Sequence, residues 1–268
     1  MKWYSISRTS RVLNTSSELL RHYERLGLIH PKRLENGYRS FSFKEIDKLQ
    51  GIRRYRNMNF SLEQMEKLIY TADYDEVGAL YAQSVAQTKR NIVWQQELLR
   101  ATELIAAEWA CIPAETETCH LVESPKIRWV QVRQKDSFDE DVDAGRLGEW
   151  INHLPVVFIS PTFPQEAVLS GGEDVNFGYG VEEAAFSRLG LPSVAQEKRF
   201  PACRCVTSIV YSHGEQYIGA HSLAPMVEFC KKEGLAVCGD AWGYTIGNCC
   251  REGETYRYHR VYLPVERV

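Results

Sequence analysis

The chain has 268 residues, 44% of them hydrophobic and 25% charged, which is the balance of an ordinary folded globular protein. This length accommodates one large domain or two modest ones, each with its own core. The sequence contains no apolar run approaching the roughly 20 residues that span a bilayer, and its first residues lack the apolar segment of a signal peptide. We therefore expect a cytoplasmic protein.

The net charge of −3 conceals an uneven distribution. Residues 1–70 carry 14 Lys and Arg against 7 Asp and Glu, a net +7, and the remainder of the chain carries −10. A compact basic segment joined to an acidic one predicts that only the first part contacts a polyanion. The alternative is that these charges form the solvated faces of a helical domain.

Helix starts are marked three times in the basic segment by an S/T-x-x-E/Q pattern. The three patterns are Thr15–Glu18, Ser42–Glu45 and Ser61–Gln64. They predict helices over about 43–57 and 62–70, and a second helix capped by Asn14 or Thr15 that runs to about residue 25. A first helix over about 5–12 precedes a tight turn. Helix, short turn and helix is the arrangement that presents the second helix to a DNA major groove.

A basic hairpin is predicted after these two helices. Asn36-Gly37 is a strong hairpin-turn signal, because both residues tolerate positive φ. Lys32 and Arg33 precede this turn, and Tyr38 and Arg39 follow it. We expect a basic, aromatic wing.

Residues 74–109 contain no Pro and predict one long helix that ends at Cys111-Ile112-Pro113. One set of apolar residues recurs there every seven positions: Val85, Ile92, Leu99 and Ala106. A second set at the same spacing, three positions further on in the heptad, is partly polar: Tyr81, Thr88, Gln95, Thr102 and Trp109. This spacing predicts a coiled-coil seam of mediocre quality. A single amphipathic helix packed on its own domain is the alternative.

The remainder of the chain predicts an α/β domain with an internal duplication. The first half has a strand over 120–134, a helix near 141–153 and strands near 155–160 and 175–182. The second half repeats this order, with a strand over 201–212, a helix over 221–233 and strands over 241–249 and 256–265. Two such repeats predict a pseudo-symmetric domain with a cleft between them.

Three N-terminal segments carry a resemblance to a known family. They are LLRHYERLGLIHP at 19–31, NGYR at 36–39 followed by FS at 41–42, and IRR at 52–54 with FSLE at 60–63. Together they resemble the recognition helix, wing and later helices of MerR-family regulators. The long helix then stands where that family has its antiparallel dimerisation helix.

Two C-terminal segments, YSHGE at 211–215 and VYLPV at 261–265, resemble the GyrI-like effector-binding domain of multidrug-sensing MerR regulators. The sequence departs from that pattern at one position. Where the family commonly has an acidic residue four positions before the terminal Pro, this chain has Arg260, with His259 beside it. The usual preference for lipophilic cations therefore does not carry over.

The resemblance implies an α+β, multidomain protein. Its parts are a winged helix-turn-helix over 1–72, an antiparallel coiled-coil dimerisation helix over 73–110 and a GyrI-like domain over 119–268. It also implies a homodimer that binds double-stranded promoter DNA, works with RNA polymerase and responds to a small-molecule inducer. Ligand binding would bend and untwist the promoter spacer to activate transcription. No cofactor is implied.

The DNA contacts are expected from the second helix and the wing. Ser16 and Ser17 lie at a helix N-terminus, where free amides suit phosphate, and an Arg on this helix can reach phosphate or a guanine edge. The full candidate set is Ser16, Ser17, Arg21, Tyr23, Arg33, Tyr38 and Arg39. The alternative for each is a solvated side chain, or for Tyr23 a half-buried one.

The organic-ligand hypothesis depends on the aromatic residues of the C-terminal half, because ligand pockets are typically lined by rings and a few polar groups. The candidates are Trp150, Tyr179, Glu182, Trp242, Tyr244, Tyr258 and Arg260. Each ring has core packing as its alternative. Glu182 would suit a cation, whereas Arg260 would favour an anionic or neutral aromatic compound.

Two further hypotheses concern metals and catalysis. All eight cysteines lie beyond residue 110 and include no C-x-x-C pair, so we expect reduced thiols. Cys111 and Cys119 have the spacing of the thiolate loop in copper-sensing MerR proteins, and two thiolates suit a soft monovalent ion. A GyrI-like hydrolase using His213 and Glu215, or Glu182 and Glu183, lacks a nucleophile elbow or metal triad. We expect a protein that is not an enzyme.

Overall fold

A computed structural model describes residues 2–134, 137–138 and 143–267. The chain divides into two compact units, Met1–Asn91 and Ile92–Val268. The boundary falls inside the 42-residue helix α5 (Tyr74–Glu115). The other helices of the first unit are α1 (Ile6–Val12), α2 (Ser17–Arg25), α3 (Phe43–Asn57) and α4 (Leu62–Tyr70).

The first unit is a helix-turn-helix with a small sheet. Its strands β1 (Trp3–Ser5), β2 (Lys32–Arg33) and β3 (Arg39–Ser42) form an antiparallel sheet of order β1-β3-β2. Side chains from α2, the segment after it, β3 and α3 meet in one core, which includes Leu20, Leu28, Ile29, Phe41 and Ile52. This core fixes α2 against the other helices and leaves its opposite side exposed.

The predicted helix starts are confirmed for α3 and α4 and wrong for α2. Ser61 and Gln64 form a complete capping box, with N···O distances of 3.1 and 2.9 Å. The cap of α2 is Ser16, whose hydroxyl accepts from the Leu19 amide at 3.0 Å, and not Asn14 or Thr15. Asn14 instead takes a left-handed backbone with φ +46°, which turns the chain between α1 and α2.

The predicted hairpin is confirmed between β2 and β3. The Gly37 amide donates to the Leu34 carbonyl at 2.8 Å, and the Tyr38 amide donates to the Asn36 side chain at 3.1 Å. Gly37 alone of the turn dipeptide has positive φ, +78°, which glycine adopts without a steric cost.

The sequence predicted that the long helix ends at Cys111-Ile112-Pro113. Helix α5 instead continues through Pro113 to Glu115. A proline in the last turn removes one backbone hydrogen bond. The Thr116 amide still donates to the Ile112 carbonyl at 3.1 Å, and Ile112 is buried in the core of the second unit. The packing of Ile112 therefore holds the last turn helical.

The second unit is built on one large antiparallel sheet. Its strands are β4 (His120–Glu123), β5 (Ile127–Gln134), β6 (Ser137–Phe138), β7 (Phe158–Phe163), β8 (Asn176–Glu182), β9 (Lys198–Phe200), β10 (Arg204–His213), β11 (Leu235–Val237), β12 (Ala241–Arg251) and β13 (Glu254–Arg267). Its helices after α5 are α6 (Ala144–Ile151), α7 (Gln165–Ser170), α8 (Glu183–Leu189) and α9 (Ala224–Lys232), with a 3-10 turn at Ala220–Leu223.

The order of the strands confirms the predicted duplication. The sheet runs β4-β10-β13-β12-β7-β8-β5-β6, so β10-β13-β12 and β7-β8-β5 mirror each other about the β12–β7 pair. Each half is one strand-helix-strand-strand repeat. The predicted strand 120–134 is in fact two strands, because β4 pairs with β10 and β5 pairs with β8 and β9. Residues 141–142 of the predicted helix lie outside the described residues.

The sheet buries side chains on both faces. Along β10, Val206 and Val210 pack with α9 and α7, and Ile209 packs with Ile112 of α5 on the other face. Two glycines in β8 permit close packing, since a Cβ at Gly180 would lie 2.3 Å from the Phe158 ring and one at Gly178 would lie 1.9 Å from a backbone oxygen. Among the described helices, none has a stretch long and apolar enough to cross a bilayer.

Candidate functional site

The exposed side of α2 and the wing form a continuous polar surface in the first unit. Arg21 is exposed on α2, and Ser16 is exposed at its N-terminus. Ser17 is half-buried, and its hydroxyl contacts that of Ser10 at 3.4 Å. Tyr38 at the wing tip is 71% exposed. These side chains are therefore accessible to a nucleic acid.

Glu24 ties the wing to α2. Its carboxylate accepts from Arg33 at 3.4 Å and also pairs with Arg39. Both arginines lie at the edge of the basic surface, and their side chains are 57% and 26% exposed respectively. A phosphate that contacts Arg33 or Arg39 would share that guanidinium with the Glu24 carboxylate. These two arginines therefore hold the wing in position and can also offset the charge of a phosphate.

A cavity of about 500 Å³ lies in the second unit. Its walls come from α5, from the segment before β7 and β7 itself, from α8, and from β12. The lining residues are Glu97, Arg100, Ala101, Leu104, Ile105, Pro125, Ile127, Leu154, Pro155, Val156, Val157, Phe158, Ile159, Glu182, Ala185, Arg188, Trp242, Tyr244, Thr245, Ile246 and Gly247. The volume falls within the range of small-molecule sites.

The cavity opens where the two repeats separate. Strands β7 and β12 pair only at Ala241–Phe163 and Trp242–Thr162, although both strands continue beyond this point. Phe158 of β7 and Tyr244 of β12 then line the gap, with ring centroids 5.5 Å apart. The predicted cleft between the repeats is therefore present.

Two acidic residues in the cavity differ in their environment. Glu97 is almost completely buried and accepts two hydrogen bonds from Arg188, at 2.6 and 2.9 Å, and one from Arg100 at 2.7 Å. The bonds from Arg188 hold the pKa of Glu97 below its usual value, so this carboxylate is ionised and already paired. Glu182 has no hydrogen-bonded or ion-paired side-chain partner among the described residues and is half-buried at the wall.

A second ion cluster fixes the end of α5 to the sheet. Arg260 donates to Glu108 at 2.9 and 2.5 Å and to Glu115 at 2.6 Å. The Tyr244 hydroxyl donates to the other oxygen of Glu108 at 2.9 Å. Burial alone would lower the pKa of Arg260, but its bonds to Glu108 and Glu115 together outweigh burial and raise that pKa. Burial raises the pKa of Tyr244. The cluster is charged and largely dry.

Helix α5 presents two different faces beyond residue 92. Glu97, Ala101, Ile105, Glu108 and Ile112 face the sheet and cavity of their own unit. Ile92 and Leu99 of the heptad set face away, 52% and 58% exposed, as does Val85 (54%) earlier in the helix, whereas Trp109 of the same set packs against the Tyr258 ring. One side of α5 thus packs on its own unit, and the exposed apolar residues are open to the predicted coiled-coil seam.

Comparisons with known proteins identify the first unit. Residues 4–71 match the family described as MerR HTH family regulatory protein. The HmrR regulator of Rhizobium leguminosarum is 30% identical over 124 residues, which are 44% of this chain and 95% of that protein. The heavy metal-dependent transcription regulator 2 of Rhizobium meliloti is 29% identical over 125 residues, covering 44% of this chain and 84% of that one.

The chain belongs to the MerR family of transcription regulators. A cryo-EM structure of an EcmrR–DNA complex is also similar, at 15% identity and a TM-score of 0.35 over 99% of this chain and 100% of that chain. The MerR match covers α1 to α4 and the wing, where the exposed polar surface lies.

One predicted contact of the MerR-type DNA surface is corrected. Tyr23 is not on the exposed side of α2 but 7% exposed in the core, where its hydroxyl accepts from Arg56 at 3.4 Å. Arg53 was overlooked as a support for the surface. Its guanidinium donates to the carbonyls of Leu13 and Asn14 and braces the turn between the two helices.

Several predicted ligand residues of this MerR regulator lie outside the cavity. Of the candidates, only Glu182, Trp242 and Tyr244 line it among the described residues. Trp150 is completely buried between α6 and α8 and donates to the Pro192 carbonyl at 2.8 Å. Tyr179 packs on that same core, and Tyr258 packs between Trp109 and Tyr211. Arg260 is paired with α5.

The structure separates Cys111 from Cys119. Cys111 lies on α5, whereas Cys119 packs with α9 and Cys230 in the core on the opposite face of the sheet. Burial raises the pKa of the Cys119 thiol, which disfavours the thiolate that a soft metal requires. In the described part of the chain, no group of three or more His, Cys, Asp or Glu could hold a metal.

Sequence reasoning missed the cavity wall that α5 supplies. Ala101, Leu104 and Ile105 are ordinary helix residues, and nothing about their type indicates a ligand site. The available signal was that Glu97 and Glu108 share one helix face with Ala101, Ile105 and Ile112, since charges on a face that packs against the fold require partners there.

We predict that Arg260→Met destabilises the protein by about 3 kcal/mol, because the largely buried Glu108 and the half-buried Glu115 then lose their cation. Urea unfolding followed by circular dichroism measures this loss. Arg257→Met, on the same strand, serves as the control and should have a smaller effect, because within the described residues Arg257 has no carboxylate in a salt bridge and donates to a backbone carbonyl beside a ring. Adding Glu108→Gln and Glu115→Gln to Arg260→Met should restore part of the stability. Equal losses in the two single variants would contradict the assignment.

Proposed function

We propose that this MerR regulator is a homodimer that senses a small organic compound and activates transcription from a promoter bound by RNA polymerase. The observation that carries the sensing function is the cavity of about 500 Å³ walled by α5. The helix that encloses the ligand site is then the same helix that carries the dimer seam. A ligand can act on DNA through this one element.

The DNA interface is α2 with the wing. Ser16, Ser17 and Arg21 lie at the exposed start and side of α2, which fits a helix placed in the major groove. Arg33, Tyr38 and Arg39 extend this surface from the wing, where they would contact the phosphate backbone. Most such contacts position the protein, and base-edge contacts from α2 read the sequence.

The dimer interface is the exposed heptad face of α5. Val85, Ile92 and Leu99 place apolar side chains in solvent at seven-residue spacing, which is the pattern of a coiled-coil seam. Thr88, Gln95 and Thr102 are polar at the complementary position and fix register and orientation. A second copy of this chain covers the seam in an antiparallel pair, so that the dimer has two DNA-binding units.

The ligand is an aromatic or lipophilic compound that carries a hydrogen-bond donor or a positive group. The walls are mostly aliphatic, with Phe158, Trp242 and Tyr244 as rings, so binding gains most from apolar burial. Glu97 is already neutralised by Arg188, whereas Glu182 remains available to the ligand. Arg260 is committed to α5 and does not select an anion.

The ligand changes DNA through α5. A compound that packs against Ala101, Leu104 and Ile105 favours one position of the helix on the sheet, and only its differential affinity for two positions can shift the balance. A shift of paired helices would change the angle between the two DNA-binding units. Bending or untwisting the promoter spacer in this way costs several kcal/mol. The ligand must supply a comparable difference in binding free energy between the two positions of the helix.

Metal sensing and hydrolysis are less well supported. Three curated relatives are named as heavy metal-dependent or probable heavy metal-dependent regulators, but the similarity is confined to less than half of this chain. Cys111 and Cys119 lie on different faces of the sheet. His213 pairs with Glu254 at 3.1 Å on an exposed edge, away from the cavity. We therefore propose a regulator and not an enzyme.

Arg21→Ala should weaken binding of the operator by at least tenfold and reduce the slope of log affinity against log salt by about one, because one cationic contact is lost. Fluorescence anisotropy over a range of salt concentrations measures both quantities. Lys231→Ala, on the exposed side of α9, removes the same charge type in the second unit and should leave affinity unchanged. If both variants lose affinity equally, α2 is not the interface.

Ala101→Phe should abolish ligand binding by filling the cavity from α5, whereas Ala184→Phe, exposed on α8 beside the cavity residue Ala185, should not. A thermal-shift screen of aromatic cations, neutral aromatics and aromatic acids supplies the ligand, because binding to the native state alone raises the unfolding temperature.

Glu182→Gln should weaken the binding of aromatic cations more than the binding of neutral aromatic compounds of the same size. Uniform weakening of all classes would contradict a role for this carboxylate. Binding that survives Ala101→Phe unchanged would place the ligand elsewhere.

A further inference from the structure

Two cysteines at the start of β10 are in direct contact. The Sγ atoms of Cys203 and Cys205 are 3.6 Å apart, with Arg204 between the two residues in sequence. Cys205 is completely buried, whereas Cys203 is half-buried and reaches the surface. The regulator proposed above uses neither thiol.

The separation is suited to a disulfide. Residues two apart in an extended chain have Cα atoms about 6.6 Å apart, which lies within the range of about 4.4–6.8 Å that disulfides bridge. The sulfur atoms need to approach by about 1.5 Å to reach bonding distance, which side-chain rotation can supply.

Ser124 contacts both the backbone and the sulfur of Cys203. The Ser124 hydroxyl oxygen accepts from the Cys203 amide at 3.3 Å, and the Ser124 amide donates to the Cys203 carbonyl at 2.9 Å. The same hydroxyl lies 3.7 Å from the Cys203 sulfur. Ser124 therefore holds Cys203 in place beside Cys205, and the reacting form of Cys203 is its thiolate. Burial raises the pKa of Cys205 to about 12, so Cys203 attacks first.

We propose that Cys203 and Cys205 form an oxidation-sensitive dithiol that a hydroperoxide converts to an intramolecular disulfide. The Cys203 thiolate attacks the peroxide, so that an S–O bond forms, the O–O bond breaks and hydroxide leaves. Cys205 then attacks the sulfenic sulfur; the S–S bond forms, the S–O bond breaks, and the Cys205 proton leaves with that oxygen as water. The two thiols lose two electrons, and the peroxide gains them.

Peptide mapping of the full chain after hydrogen peroxide treatment and alkylation tests this proposal. Trypsin cleaves after Arg204, so the disulfide joins peptide 200–204 to the peptide that begins at Cys205. Chymotryptic cleavage after Tyr211 then separates Cys205 from Cys230. We expect this link to form, to revert with dithiothreitol and to lower the intact mass by two hydrogens. Accumulation of a sulfinic acid at Cys203, or a link from Cys203 to the exposed Cys238, would overturn it.

Three variants refine the test. Cys205→Ser should leave a sulfenic acid at Cys203 that dimedone traps, with no disulfide. Ser124→Ala should slow the oxidation several-fold, because Cys203 loses the hydroxyl that contacts its amide and its sulfur. Cys250→Ser removes an exposed thiol on another strand and should change neither the rate nor the link. Loss of the link in Cys250→Ser, or an unaltered link in Cys205→Ser, would contradict the assignment.

Discussion

The buried pairing of Arg260 with Glu108 and Glu115 determines which side of α5 meets the sheet. If the helix slid by one turn, about 5.4 Å, both carboxylates would leave the guanidinium, at a cost of several kcal/mol. Glu97 and Arg188 form a second attachment 11 residues earlier, about 16 Å along the axis. The cavity lies between these two attachments. A helix held by ion pairs at both ends, with a cavity along the part between them, is the element on which we propose that a bound compound acts.

The position of the cavity follows from the duplication of the sheet. Each repeat contributes one central strand, and β7 and β12 stay paired for only two residues before they diverge. The gap is closed by α5 and not by a further strand, so its wall is a helix surface of small and branched aliphatic residues. Such a wall fits apolar compounds of varied shape. Among the described residues at its rim, Glu97 is hydrogen-bonded to Arg188 and Arg100, whereas Glu182 interacts with Arg188 without a hydrogen bond. The proposed selectivity for charge therefore rests mainly on Glu182.

Much of the first unit could be predicted from the sequence because its signals are local. Capping residues fixed the starts of α3 and α4, and Asn36-Gly37 fixed the wing, whereas Ser16 replaced its neighbours as a cap because Asn14 takes a left-handed turn. The cavity depends on contacts between distant residues. As aromatic residues, Trp150 and Tyr258 were as good candidates as Trp242. Which rings face the gap depends on where the strands and helices lie in the fold. Similarly, a heptad pattern cannot reveal that the opposite side of α5 is occupied by its own sheet.

Sedimentation velocity of Leu99→Asp tests most directly whether α5 divides its faces between its own sheet and a second copy. A charge on the seam should convert the dimer to a monomer whose circular dichroism spectrum is unchanged, because Leu99 is 58% exposed and contributes little to the fold of its own chain. Ala107→Asp, exposed on the same helix but off the seam, should remain a dimer. A Leu99→Asp protein that stays dimeric, or one that unfolds, would contradict this division of the helix.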